Sequence, residues 1–73
     1  MPIRILVVDA YNHPAENVEV YVKWSDGLST IRTDAAGIAD TKIEKGTVLW
    51  VSVYGKTTEF GAYYENKTLK AYI

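Results

Sequence analysis

Between residues 18 and 24 apolar and polar side chains alternate one for one, with Val18, Val20, Val22 and Trp24 set against Glu19, Tyr21 and Lys23. Successive side chains of a strand point to opposite faces, so as a β-strand this run buries one face and wets the other. Wound into a helix, the same run would spread its valines around most of the circumference. The rest of the chain follows suit. Val, Ile and Thr supply 21 of the 73 residues and aromatics nine more, the types that suit a pleated, half-buried surface. Ala, Leu, Glu and Lys never cluster at helical spacing, so an all-β chain with negligible helix is expected.

Turn formers divide the chain into seven short strands, expected at 3–8, 18–24, 28–33, 38–43, 47–54, 60–64 and 68–73. Asn12, His13 and Pro14 make a loop, and Ser25-Asp26-Gly27 a tight hairpin. Asp34-Ala35-Ala36-Gly37 reads as a type I turn, and Glu44-Lys45-Gly46 turns the chain again. Gly55 and Lys56 end the fifth strand. The last two strands are expected to form a hairpin around Glu65-Asn66-Lys67. Seven short antiparallel strands about ten residues apart indicate a single β-sandwich domain over residues 1–73.

A chain this short buries only about 60% of the surface its unfolded form exposes. It has no cysteine, hence no disulfide, thiolate zinc site or cysteine nucleophile, and must be held by packing or by partner subunits. Eight Lys and Arg against nine Asp and Glu give a net charge of −1, without the basic excess that nucleic acid demands. No run approaches the roughly eighteen apolar residues of a membrane span. Met1-Pro2-Ile3 opens without a signal peptide, so the expected location is cytoplasmic, or extracellular if the chain is an excised module. Asn66-Lys67-Thr68 matches a glycosylation acceptor, a triplet common by chance.

The order of these signals is similar to a known family. Asp9, Pro14, Asn17-Val18-Glu19-Val20, Thr33-Asp34-Ala35-Ala36-Gly37 and Ile43-Glu44-Lys45-Gly46 resemble the pattern of carboxypeptidase regulatory-like modules in the transthyretin-like (prealbumin-like) superfamily. The likeness covers about three quarters of the chain. The Thr-Asp-x-x-Gly turn is its most specific part. His13 and Asn17 stand where those modules usually have glycine. The resemblance implies a seven-stranded Greek-key β-sandwich, immunoglobulin-like in build and usually an accessory domain, and it implies no activity, because the shared residues are turn formers. The C-terminal motif of the transthyretin-related hydrolases is missing, since the chain ends Lys70-Ala71-Tyr72-Ile73. The internal isopeptide bond of collagen-adhesin repeats is not expected either, because Arg4 occupies the first strand and the last carries no Asn or Asp.

His13 is the only imidazole, set between Asp9 and Glu16; as a lone loop histidine it reads as solvated. Ser25, Ser29 and Ser52 lie outside any nucleophile elbow, so no catalytic residue is expected. Asp9, Asp26, Asp34 and Asp40 read as turn residues in loops without the Asp-x-Asp-x-Asp run of a calcium site, and neither metal nor cofactor is expected. The surplus is aromatic. With Leu49, Val51 and Val53 inward, Val48, Trp50, Ser52 and Tyr54 face out; Tyr21 faces out from the second strand. With Leu69, Ala71 and Ile73 inward, Tyr72 faces out from the last. Both faces of the fifth strand are apolar, so a register slipped by one, with Trp50 and Val48 in the core, stays open. The candidate binding residues are therefore Tyr21, Trp50, Tyr54 and Tyr72. They could contact a second copy in a homodimer, or stack on sugar rings in a carbohydrate-binding module. Marginal size favours the first, through the face of Trp50 and Tyr54 or through an edge strand near 63–73, where Lys70 alone guards the last strand.

Overall fold

The computed structural model describes residues 2–73. Seven strands and no helix appear among them: β1 (Arg4–Val8), β2 (Glu19–Trp24), β3 (Gly27–Arg32), β4 (Ile38–Asp40), β5 (Lys45–Val53), β6 (Lys56–Glu65) and β7 (Thr68–Tyr72). They form a four-stranded sheet in the order β3-β2-β5-β6 and a three-stranded sheet in the order β4-β1-β7. Ile5, Val7, Ala39, Leu69 and Ala71 of the smaller sheet share one buried cluster with Val20, Val22, Val48, Val51 and Val53 of the larger. Each fully buried valine contributes roughly 1.5–3 kcal/mol relative to exposure.

The larger sheet is antiparallel throughout and built on two hairpins. Trp24 pairs with Gly27 across Ser25-Asp26, and Val53 pairs with Lys56 across Tyr54-Gly55. Tyr54 and Gly55 have φ of 52° and 76°, the mirror-image turn whose twist matches that of the strands it joins.

Two expectations fail at the chain's last strands. β7 does not form a hairpin with β6; it crosses to the other sheet and pairs parallel to β1, Arg4 against Thr68 through Val8 against Tyr72. The sheets are therefore not antiparallel throughout. The physical reason is burial: Leu69 and Ala71 reach the core only by lying beside Ile5 and Val7. Ile73, expected inward, lies just past the strand with its side chain exposed, though its N–H still donates to the Val8 carbonyl at 3.1 Å.

The fifth strand also departs from strict alternation. Against β2 the register steps from Lys23–Trp50 to Trp24–Val48, leaving Leu49 bulged out of the ladder. Against β6 it steps from Trp50–Glu59 to Val48–Ala62, and Gly61 absorbs the mismatch with a φ of 64°. Val48, Val51 and Val53 are consequently buried and Leu49, expected inward, is 38% exposed. The two registers left open by the sequence each describe half of this strand.

Loops between the sheets are tied by buried hydroxyls. Thr33 Oγ1 accepts from Val18 N–H at 2.9 Å and donates to the Ala15 carbonyl at 2.6 Å. Thr41 Oγ1 donates to the Ile3 carbonyl at 2.7 Å and accepts from Ile43 N–H at 3.1 Å. In the turn after β3, Asp34 Oδ1 accepts from Ala36 and Ile38 N–H. Gly37 follows at a φ of 78°, where an added Cβ would meet Pro14 Cβ at 2.8 Å and the Val7 carbonyl oxygen at 2.9 Å. Asn17 takes a left-handed φ of 57°, which Asn tolerates better than most residues, so glycine is dispensable there.

Candidate binding surface

Directly opposed residues of a sheet share a face, so the pairings of the four-stranded sheet define its outer surface row by row. One row runs Leu28, Lys23, Trp50, Glu59; the next runs Thr30, Tyr21, Ser52, Thr57; Arg32 and Glu19 begin a third. Trp50 is half-buried between a lysine and a glutamate, and Tyr21 is its diagonal neighbour. Leu28 and Leu49 are exposed beside them. Tyr63 joins this face opposite Thr47.

A polar network borders the aromatic pair. The Tyr21 hydroxyl donates to Glu19 Oε1, and Arg32 Nη2 lies 3.8 Å from Glu19 Oε2. Arg32 Nη1 also donates to the Asn17 carbonyl at 3.1 Å. Ionising Tyr21 would forfeit its hydrogen bond to a carboxylate and set two negative charges side by side, so the phenol titrates above its ordinary range.

The four aromatic residues singled out from the sequence do not form one row. Tyr21 and Trp50 share the outer face of the larger sheet, Tyr54 stands 73% exposed at the tip of the β5–β6 hairpin, and Tyr72 belongs to the smaller sheet. There Tyr72 follows Lys70 along the outer side of β7, with the ammonium 5.9 Å from the ring centroid. Leu28, Leu49 and Tyr63 add to the larger face. Leu49 was hidden from the sequence because a bulge reverses its side. Leu28 carried a readable signal: it lies opposite Lys23 once the hairpin at Ser25-Asp26 is closed.

The loop after β1 gathers a second group. Asp9 Oδ1 accepts the backbone N–H groups of Tyr11 at 2.8 Å and His13 at 2.9 Å, and His13 Nδ1 lies 3.5 Å from Asp9 Oδ2. The His13 amide bond, with that from Tyr11, holds the carboxyl of Asp9 below the usual carboxylate range. His13 is largely solvent-exposed and tilts against the Tyr11 ring at 6.2 Å between centroids. Among the described residues no group of three His, Asp or Glu is placed to share a metal ion, and no pocket opens on the surface. Compared with known proteins, the chain finds no match among family models, curated sequences or solved structures.

Proposed function

We propose that this chain is a non-catalytic β-sandwich of transthyretin-like, Greek-key build that works as an interaction module and assembles with copies of itself. The strand order supports the fold reading. β2–β3 and β5–β6 are hairpins within one sheet, while β4 and β7 cross over to flank β1 in the other, as Greek-key chains do. The Thr33–Gly37 turn, tied by Asp34, is the other support.

One observation carries the functional reading: the exposed Tyr21, Leu28 and Leu49 and the half-buried Trp50 lie on one outer sheet face, and apolar groups clustered on an exposed face mark interaction sites. Tyr54 adds weight. A bulky side chain at a left-handed φ is strained, and this one presents its ring to solvent at the hairpin tip, where a partner could cover it. Self-association through this face or through an edge strand offsets the marginal stability of so small a core. Sedimentation equilibrium at micromolar concentration tests it. A mass twice 8.2 kDa is expected, and a strictly monomeric mass would refute self-association.

A second reading, carbohydrate binding, has its own support in the fixed Tyr21–Glu19–Arg32 network beside Trp50, a ring with oriented polar groups at its edge. Sugar-dependent quenching of tryptophan fluorescence, abolished by Trp50→Ala in a protein that stays monomeric, would favour it over assembly.

A further inference from the structure

Among the described residues four strand edges are open, at β3, β4, β6 and β7. Edges invite pairing with another chain unless they are short, charged or bulged. β4 has three residues and ends in Asp40. β6 carries Lys56, Glu59 and Glu65 and is bent at Gly61. β3 starts at Gly27 and ends at Arg32, whose guanidinium is drawn back over Asn17 and Glu19. β7 has no glycine, proline or bulge and a single charge, Lys70, and exposes Tyr72 and Ile73 beside its edge.

The hydrogen bonds at the two ends of the β1–β7 ladder show which backbone groups are spare. Arg4 N–H donates to the Lys67 carbonyl at 3.0 Å and Ile73 N–H to the Val8 carbonyl at 3.1 Å. In this parallel register β1 therefore bonds to residues 67, 69, 71 and 73. Thr68, Lys70 and Tyr72 turn their N–H and C=O groups to the open side, and no turn or loop bond among the described residues meets them.

We propose that β7 pairs antiparallel with β7 of a second copy, about a two-fold axis at Ala71, with Lys70 opposite Tyr72 of the partner subunit. This rests on the assembly reading above and develops its edge-strand alternative. Spare groups on alternate residues require that even-numbered residues of β7 oppose one another, and an axis at Ala71 makes those residues Lys70 and Tyr72. Centring on Lys70 would set two ammonium groups directly opposite, which is destabilising; the shift to Ala71 replaces that pair by a lysine against a tyrosine ring on each side. Each Lys70 then exchanges both backbone hydrogen bonds with the opposing Tyr72. The two three-stranded sheets become one continuous sheet, and a net charge of −1 per chain adds little repulsion.

The chain has no cysteine, so introduced thiols report on this contact alone. Lys70→Cys and Tyr72→Cys chains, both altered at exposed positions, are mixed and oxidised in air. Directly opposed positions are within disulfide reach and diagonal ones at roughly 7–8 Å are not, so the mixed 70–72 disulfide should form at least about ten-fold faster than one between Thr68→Cys and Tyr72→Cys chains, which keep Lys70 and oppose each other only in a register centred on it. A faster 68–72 disulfide would overturn the register. A dimer by sedimentation that yields no disulfide would overturn the edge contact while leaving self-association standing, and a monomer would overturn both.

Discussion

The two sheets are held together in different ways. The four-stranded sheet is made of two hairpins whose turns contain only Ser25-Asp26 and Tyr54-Gly55, so most of its pairs are close in sequence. The three-stranded sheet collects β1, β4 and β7 from the start, middle and end of the described chain, and no two of them are joined by a turn. Its geometry depends on loop anchors: Thr33 binding Ala15 and Val18, Thr41 binding Ile3 and Ile43, and Gly37 wedged between Pro14 and Val7. A local sheet tolerates a damaged turn because its strands are still neighbours; a sheet gathered from distant segments loses its register with its anchors.

Glycine substitution separates the two sheets most sharply. Gly37→Ala keeps a left-handed φ and drives a methyl into the Val7 carbonyl and Pro14, costing about 3 kcal/mol. Total stability for a chain of this length is on the order of 5 kcal/mol, so thermal unfolding should drop by about 20 °C. Gly55→Ala has a similar φ of 76° but open space around the new methyl, and should cost only about 1 kcal/mol. Equal losses in thermal melts of the two variants would show that the anchors matter no more than the hairpin tip.

Thr33→Val keeps the side chain's shape and removes both of its hydrogen bonds, leaving the buried Val18 N–H without its acceptor. A loss of about 2 kcal/mol in urea denaturation is expected. A loss below about 0.5 kcal/mol would mean that water replaces the hydroxyl and the anchor is not needed.

Tyr54→Asn works in the opposite direction. Asn-Gly is the preferred pair for a mirror-image two-residue turn, and the exposed Tyr54 ring gives up little packing, so stability should rise by about 1 kcal/mol. If the tip also takes part in binding, the same change weakens association while it raises the melting temperature. A variant no more stable than the parent would mean that the tyrosine is not strained where it stands.

Of the larger sheet, the β2–β3 hairpin was legible in the sequence because its signals are local; the β5–β6 hairpin was not, since Gly55-Lys56 read as a strand end and the sixth strand as the partner of the last. The alternation from Val18 to Trp24 and the hairpin at Ser25-Asp26 needed no knowledge of distant residues. The bulge at Leu49 was not legible, since a single unpaired residue flips its side without changing composition, and both faces of β5 are apolar. β7 was misplaced for a related reason: Glu65-Asn66-Lys67 has the composition of a hairpin turn, but here the chain uses it to change sheets, and the competing β1 lies more than sixty residues earlier in the chain. Of the candidate surface, the outward side of Tyr21 was readable and that of Trp50 was one of two open registers; that the two are neighbours follows only from the β2–β5 pairing. The separation of Tyr72 from them follows only from the parallel pairing.

The smallest expected effect concerns the loop that carries the chain from one sheet to the other. Asp9 has its carboxyl held below the usual range chiefly by the His13 amide, with that of Tyr11 and the imidazole adding to it. A group whose folded pKa is depressed contributes stability that is present above its unfolded value and is lost as pH falls through its folded one. Asp9→Asn keeps a side-chain oxygen for both amides and removes the titration. The parent should therefore exceed the variant in urea midpoint at neutral pH, with the difference shrinking below about pH 4 as the carboxylate is protonated. Solvent screens so exposed a group, so the difference stays small. A gap between parent and variant that does not change with pH would show that the loop depends on the shape of the Asp9 side chain and not on its charge.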